Sequence, residues 1–370
     1  MADKLLVRTY NVELGDCIYC RIPKGRKVGS TIDDLHILID CGSLGAEDLL
    51  ETAVTDLESI LPSAGAGKKR LDLLVVTHEH RDHIAGFNPA FFQNIEIGHI
   101  WMNTAMDPAH PQADLAFRLR QLATTAMRNL AGLNLSLTPE LEGLVALYGI
   151  DNGPAMDALR TTLPTNSNIT AKYVHAGMTK TQLGLSLNTG LKIEVLGPER
   201  DIDHFYLGED IDPNLLALAA TGAAFGNAPL KPITSFPSNI SQADFRRLQS
   251  RMMSSAFAFA EISNKMTNNT SVVLLIEWKG KRLLFVGDAE WNTKFKEGKQ
   301  NGAWNVMWHE RKNKLDSPID FLKIGHHGSE NATPWSEDGT VTEPSTILDS
   351  ILPIPPAGAP PKAKAVVSTK

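Results

Sequence analysis

In the stretch Leu71-Asp72-Leu73-Leu74-Val75-Val76-Thr77-His78-Glu79-His80-Arg81-Asp82-His83-Ile84-Ala85-Gly86, the apolar run Leu73 to Val76 is followed by three histidines and two acids. The run is short, continuous and partly β-branched, which suits a buried strand. A strand that ends in ionisable residues delivers them to a sheet edge, where open α/β sheets place their sites. In extended chain, side chains two apart point the same way, so His78 and His80 can face one ion. Asp82 and His83 follow where the chain is expected to turn into a helix starting near Ile84. Adjacent residues in a turn diverge, so this pair can address a second ion. Imidazole nitrogen and carboxylate oxygen are ordinary ligands for zinc, and also suit manganese or iron.

The string His78-x-His80-x-Asp82-His83 resembles the signature of the metallo-β-lactamase-fold hydrolases. The resemblance implies an α/β fold, a four-layer αββα sandwich, and one or two divalent ions, zinc or manganese. The chain opens in a similar way. Leu5 to Tyr10 and Asp16 to Ile22 read as strands around a turn at Gly15, Lys24 to Asp33 as a polar loop, and Leu35 to Asp40 as a strand ending in an acid. In the family, the acid matching Asp40 supports the metal site from behind the ligands. The nearest resemblance is to the hydrolase domain of bacterial competence (DNA-uptake channel) proteins, which opens with a turn like Val12 to Asp16.

Composition narrows the rest. The chain has 370 residues, 42% hydrophobic and 21% charged, with formal net charge -6. Such a chain forms an ordinary globular core and carries no global basic field to draw nucleic acid, leaving only a local patch for that role. Met1 to Tyr10 has no long apolar core of a signal peptide, and no run approaches the ~18 apolar residues of a membrane span. The three cysteines, Cys17, Cys20 and Cys41, are too few and odd in number for a disulfide framework. They read as buried thiols in a reducing, cytoplasmic setting.

Glu47 to Leu61 has helical apolar spacing, and Pro62 to Arg70 reads as a solvated basic turn. Gly67-Lys68 is not a phosphate loop, because Pro62 and Lys69 stand where that motif needs Gly and Ser or Thr. Ile95 to Met102 reads as one strand. Residues 105–265 hold helical segments around Leu115 to Leu130, Leu141 to Tyr148, Ala155 to Leu163, Leu215 to Thr221 and Ala243 to Asn264. Two strand-like pieces interrupt them, Ala171 to His175 and Leu191 to Leu196. The helices read as insertions that shape access to a site, with Phe225 to Asn239 as a candidate lid.

Two strands around the turn Lys279 to Lys281 then lead to Gly287-Asp288. The resemblance makes Asp288 the acid that bridges two metals, a role suited to a charged group with two oxygens. A strand at Asp320 to Ile324 runs into Gly325-His326-His327-Gly328-Ser329, similar to the last metal motif of the competence-type hydrolases. By that resemblance one of the two completes the second ion's ligands, His326 favoured as the first beyond the strand, with His327 placed near the leaving group; sequence alone leaves both assignments open. Residues 351–370 read as a Pro-rich linker with a last strand at Ala365 to Ser368. The family's closing loop and helix are expected beyond it, so the hydrolase domain spans 1–350 and reads as truncated.

One position departs from most of the family, which supplies a further histidine before the strand Val272 to Ile276. Asn268 and Asn269 stand there, as paired Asn do in the competence-type proteins, and Asn269 is expected behind the ligands. Amide oxygen is a weaker ligand than imidazole. The ion of His78 and His80 is therefore expected to be labile, or helped by His175 or His204. The ion of Asp82, His83, Asp288 and His326 is expected to be tight. In the family a metal-bound hydroxide oriented by the acid matching Asp82 attacks the substrate. The competence resemblance leans toward phosphodiesters, including nucleic acid, with Lys68, Lys69, Arg70, Arg246, Arg247 and Arg251 as candidate groove charges. Hydrolysis of small esters, lactones or thioesters is the second expectation, and metal binding without catalysis the third.

Overall fold

A computed structural model describes residues 4–131, 139–148, 152–207, 257–258, 260–335 and 343–369. Its strands in chain order begin with β1 (Leu6–Thr9), β2 (Cys17–Val28), β3 (Thr31–Cys41), β4 (Ser63–Gly65) and β5 (Lys68–Leu71). Then come β6 (Leu73–Val76), β7 (Ile95–Ile97), β8 (Ile100–Asn103), β9 (Lys172–Val174) and β10 (Leu191–Gly197). Last are β11 (Val273–Trp278), β12 (Lys281–Phe285), β13 (Phe321–Lys323) and β14 (Lys364–Val366). One sheet has the order β1-β2-β3-β6-β8-β9, a second β10-β11-β12-β13-β14, and a small third β4-β5-β7. In the first sheet β3, β6, β8 and β9 run parallel, and in the second so do β12, β13 and β14.

Alternation along the strands sorts the core into layers. Ile18, Cys20, Ile37, Ile39, Leu73 and Val75 of the first sheet share one buried cluster with Ile193, Val195, Leu274, Ile276 and Phe285 of the second. Tyr19, Leu38, Leu74 and Val76 face the other way and pack with Leu50, Val54 and Leu57 of the helix Glu47–Ile60. Leu275, Leu284 and Leu322 do the same against Trp304 and Met307 of the helix Ala303–Leu315 and Ile347 of Ile347–Ile351. A one-residue slip in any of these strands would turn its apolar set to the wrong layer. The result is helix, sheet, sheet, helix: the αββα sandwich expected from the metal motif.

Several local expectations are corrected. Lys24 to Asp33 is a hairpin rather than a loop: β2 runs on to Val28 and β3 starts at Thr31. Its strands carry charge on both faces there, with Arg26 paired to Asp33 at 3.5 Å, so no apolar alternation marks them. Pro62 to Arg70 contains β4 and β5. Ile95 to Met102 is two strands, because the chain steps at Gly98 from the small sheet to the first, where Gly98 donates to the Leu71 carbonyl at 2.8 Å. The helical expectations at Leu215 to Thr221, the lid, and most of Ala243 to Asn264 lie outside the described residues. No described helix is long and apolar enough to cross a membrane.

The topology gathers one edge. β3 and β6 are parallel neighbours, as are β12 and β13, so the residues after all four strands emerge together. β11 is antiparallel to β12, which brings the residues before it to the same place. Val272 donates to the Thr77 carbonyl at 2.9 Å and ties the two sheets there.

His36 illustrates the buried polar chemistry of β3 away from that edge. Its Nδ1 lies 2.7 Å from the Tyr19 hydroxyl. Burial, reinforced by the Arg70 guanidinium, pushes the imidazole down to about 4. The unfolded chain takes up that proton near pH 6.5. Stability from the neutral folded form is therefore full above pH 6.5 and declines as pH falls toward 4, by up to about 3 kcal/mol. Urea denaturation across this window should show the decline, and His36→Gln should flatten it.

Candidate functional site

Asp40 closes β3 and organises the edge. Its Oδ1 accepts the Thr77 N–H at 2.7 Å, and its Oδ2 accepts the Thr77 hydroxyl at 2.7 Å and faces His83 Nδ1 at 2.8 Å. Its backbone is left-handed, φ +56, which costs a non-glycine residue about 1–2 kcal/mol and is held in place by those three bonds. The helical turn begins earlier than expected and spans Arg81–Ile84, so it carries both Asp82 and His83. It lies directly on Gly42, where an added Cβ would meet the Asp82 carbonyl carbon at 2.3 Å. Only glycine lets β3 and this turn approach so closely.

Each of the first three histidines has one nitrogen engaged by protein and the other turned toward Asp288 or its neighbours. His78 Nδ1 lies 3.1 Å from Thr77 Oγ1 and 3.3 Å from Ser271 Oγ. His80 Nε2 lies 3.2 Å from the Tyr148 hydroxyl, and His83 Nδ1 is the atom on Asp40. Of the other nitrogens, His78 Nε2 is 3.0 Å from His80 Nδ1 and 3.7 Å from Asp288 Oδ2. His83 Nε2 is 3.3 Å from Asp288 Oδ1 and 3.6 Å from Asp82 Oδ2. Asp288 thus presents one oxygen to His78 and the other to His83. Gly287 precedes it at φ +55, where a Cβ would meet Ser271 Cβ at 2.8 Å.

The electrostatics suit a cation. Burial pushes His80 down to about 4 and His78 well below the ordinary imidazole range, the latter helped by the neighbouring His83 charge. Both are neutral at pH 7, the form in which imidazole binds metal. His83 goes the other way: burial opposes its charge, but Asp288, Asp82 and Asp40 outweigh it and raise it well above its usual value. Three buried carboxylates therefore surround one proton. Asp82 Oδ1 and His83 Nε2 are buried without a hydrogen-bond partner. Single donor atoms of His78, His83 and Asp288 all lie within 4.8 Å of one another. Unpaired donors, neutral imidazoles and excess negative charge fit a divalent ion.

His327 and His326 follow β13, both in left-handed backbone. His327 Nε2 reaches Asp82 Oδ2 at 3.0 Å, and its Nδ1 lies 3.2 Å from the Ser368 carbonyl. His326 donates its backbone N–H to Asp288 Oδ1 at 2.9 Å, while its Nδ1 faces Glu290 at 3.5 Å. Burial opposes that imidazole's charge, but Glu290 and Asp288 raise it to about 9. Asn269 is fully used as a clasp: Oδ1 accepts from the Glu290 and Ala303 N–H groups, and Nδ2 donates to the Lys265 carbonyl and Glu290. Asn268 donates to Glu290 at 2.9 Å and keeps a buried, unpartnered Oδ1. It is the amide with an oxygen free to accept.

Other expected contributors lie elsewhere. His175 Nδ1 is 2.8 Å from the Ala176 carbonyl and His204 packs edge-on against Phe205. Among the described residues neither contacts His78 or His80. Lys68 and Lys69 reach the carbonyls of Asn166 and Leu61, and Arg70 pairs with Asp33 and Asp72. Asp72 precedes β6, so Arg70 sits at the far end of that strand from the histidines. Arg246, Arg247 and Arg251 lie outside the described residues. The three cysteines are buried and free.

Sequence reasoning missed the supporting cast. Tyr148 bonds His80, Glu79 pairs with Arg120 of the helix Ala113–Ala131, and Asn152 donates to the Glu79 carbonyl at 3.0 Å. Buried Lys323 pairs with buried Asp16 at 2.7 Å, and Ser368 donates to the same carboxylate. The segments of Arg120, Tyr148 and Asn152 therefore touch the stretch His78 to His83 directly.

Residues 31–114 match the family model of the metallo-beta-lactamase superfamily. The match runs from the start of β3 through Asp40, His78, His80, Asp82 and His83 to the first turn of the helix Ala113–Ala131. No curated protein matches the chain. The metallo-beta-lactamase superfamily consists largely of hydrolytic metalloenzymes. With a cluster that could hold a divalent metal, the class of chemistry indicated is metal-dependent hydrolysis.

Proposed function

We propose that this chain is a metal-dependent phosphodiesterase. The reading treats residues 1–350 as the hydrolase domain and residues 105–265 as its helical insertions. The observation that carries it is Asp288, with Oδ2 toward His78 and Oδ1 toward His83. His78, His80 and Asp288 would hold one divalent ion, zinc or manganese, and Asp82, His83, Asp288 and His326 a second, His326 also donating its backbone N–H to Asp288. Such ions lower the pKa of a bound water from about 15.7 toward ~7 and offset charge that builds on phosphoryl oxygens. The chain's own groups do the rest. Asp40 fixes His83 with Nδ1 occupied and Nε2 turned inward. Both nitrogens of His327 face acceptors, the Ser368 carbonyl and Asp82. With Nε2 on the Asp82 carboxylate, His327 can offer the hydrogen on that atom to a leaving oxygen.

The phosphodiester class is supported by the strings Val12 to Asp16, Asn268-Asn269 and His326 to Ser329, similar to the competence-type hydrolases. The test is cleavage of bis(p-nitrophenyl) phosphate by the manganese- or zinc-supplemented chain, beside p-nitrophenyl esters and lactones as rival substrates. The diester should be turned over and His80→Ala should abolish this. Unchanged diester cleavage in that variant, or turnover of esters alone, would overturn the assignment.

A further inference from the structure

We propose that Tyr148, at the end of the inserted helix Pro139–Tyr148, is a positioning residue that sets the tautomer of His80 and so aims His80 Nδ1 at the metal cluster. The inference rests on the reading of His78 and His80 as metal ligands. Tyr148 is buried, and its ring meets His80 edge-on with centroids 5.7 Å apart. Its hydroxyl lies 3.2 Å from His80 Nε2 and donates to Ser263 Oγ at 3.2 Å. A phenol has a single hydrogen. With that hydrogen on Ser263, the oxygen facing His80 can only accept. Nε2 of His80 must then carry the hydrogen, and in a neutral imidazole the free lone pair falls on Nδ1.

That Nδ1 is the atom 3.0 Å from His78 Nε2. His78 is set in the opposite sense. Thr77 commits its hydroxyl hydrogen to Asp40, so its oxygen accepts from His78 Nδ1 and leaves Nε2 free. Two lone pairs from opposite ring positions would thereby face each other across 3.0 Å, an arrangement that a cation between them satisfies. The turn that carries them is held on both sides by the insertion, through Arg120 on Glu79 and Asn152 on the Glu79 carbonyl. Outer partners of this kind fix the ring and raise its basicity as a ligand.

Long-range proton–nitrogen spectra of the 15N-histidine-labelled, zinc-loaded chain, with His80 assigned from His80→Gln, read the tautomer directly. Wild type should carry the hydrogen on Nε2. Tyr148→Phe should populate the Nδ1–H form and weaken zinc binding, measured by competition with a chromogenic chelator, by about 10- to 100-fold. A wild-type His80 with its hydrogen on Nδ1 overturns the proposal without any variant. So does a folded Tyr148→Phe with unchanged tautomer and zinc affinity. An Nε2–H wild type that binds zinc but cleaves no phosphodiester supports the proposal and overturns the functional reading instead.

Discussion

Asp288→Asn should lower kcat/KM for bis(p-nitrophenyl) phosphate by about a thousandfold or more, a loss on the order of 4 kcal/mol of transition-state stabilisation. Asparagine keeps the size of the side chain and can still accept the His326 N–H. What it loses is one negative charge and one of two acceptor oxygens. Its amide nitrogen would turn a donor toward either His78 Nε2 or His83 Nε2, atoms 3.7 and 3.3 Å from the present carboxylate. One side of the cluster would then face a group unable to ligate. Metal per chain, counted by mass spectrometry after dialysis, should fall along with activity. A variant within tenfold of wild type that keeps its full metal content would remove Asp288 from the centre of the mechanism.

Lys323→Met should destabilise the fold by about 3–5 kcal/mol, read as a lower urea midpoint at unchanged slope. Lys323 Nζ lies 2.7 Å from Asp16 Oδ2, and both side chains are at most 3% exposed. Deleting the ammonium leaves Asp16 charged, dry and close to Asp40. Asp16 Oδ2 is also 4.0 Å from His83 Nδ1, so the damage reaches the histidine that Asp40 orients. Adding Asp16→Asn to Lys323→Met removes the stranded charge and should restore most of the lost stability. A double variant no more stable than the single would mean that the lysine acts through packing alone.

The metal motif was legible because a short β-branched run stood directly before it, and only a strand delivers His78 and His80 to the same side. Asp288 was legible only through its resemblance to the family's acid after a strand, here just past β12. The helix Ala303–Leu315 was not. Its buried residues, Ala303 to Trp308 with Leu315 at the end, crowd the first half while most of the second half is exposed or half-buried, so no helical period shows. The β4–β5 hairpin escaped because Ser63 to Arg70 has almost no apolar side chain to alternate. Tyr148 entered only as the end of a helical segment, because an aromatic on an apolar helix face carries no signal beyond packing. Its partner His80 is 68 residues away in sequence. The pair of Asp16 and Lys323 gave no local signal either, because only the closed sandwich brings β2 and β13 together. The Asn pair was legible as a departure but not in its division of labour, which depends on where Glu290 stands.

The bond from Ser368 to Asp16 joins residues 352 apart in sequence, and the one from His327 to Asp82 joins residues 245 apart. Contacts this distant close late, after the cheaper local loops have formed. A chain emerging from the ribosome would carry His78, His80 and Asp82 long before Asp288 and His327 existed to join them. The cluster of His78, His83 and Asp288 would thus be absent from the nascent polypeptide until synthesis had passed β12 and Asp288.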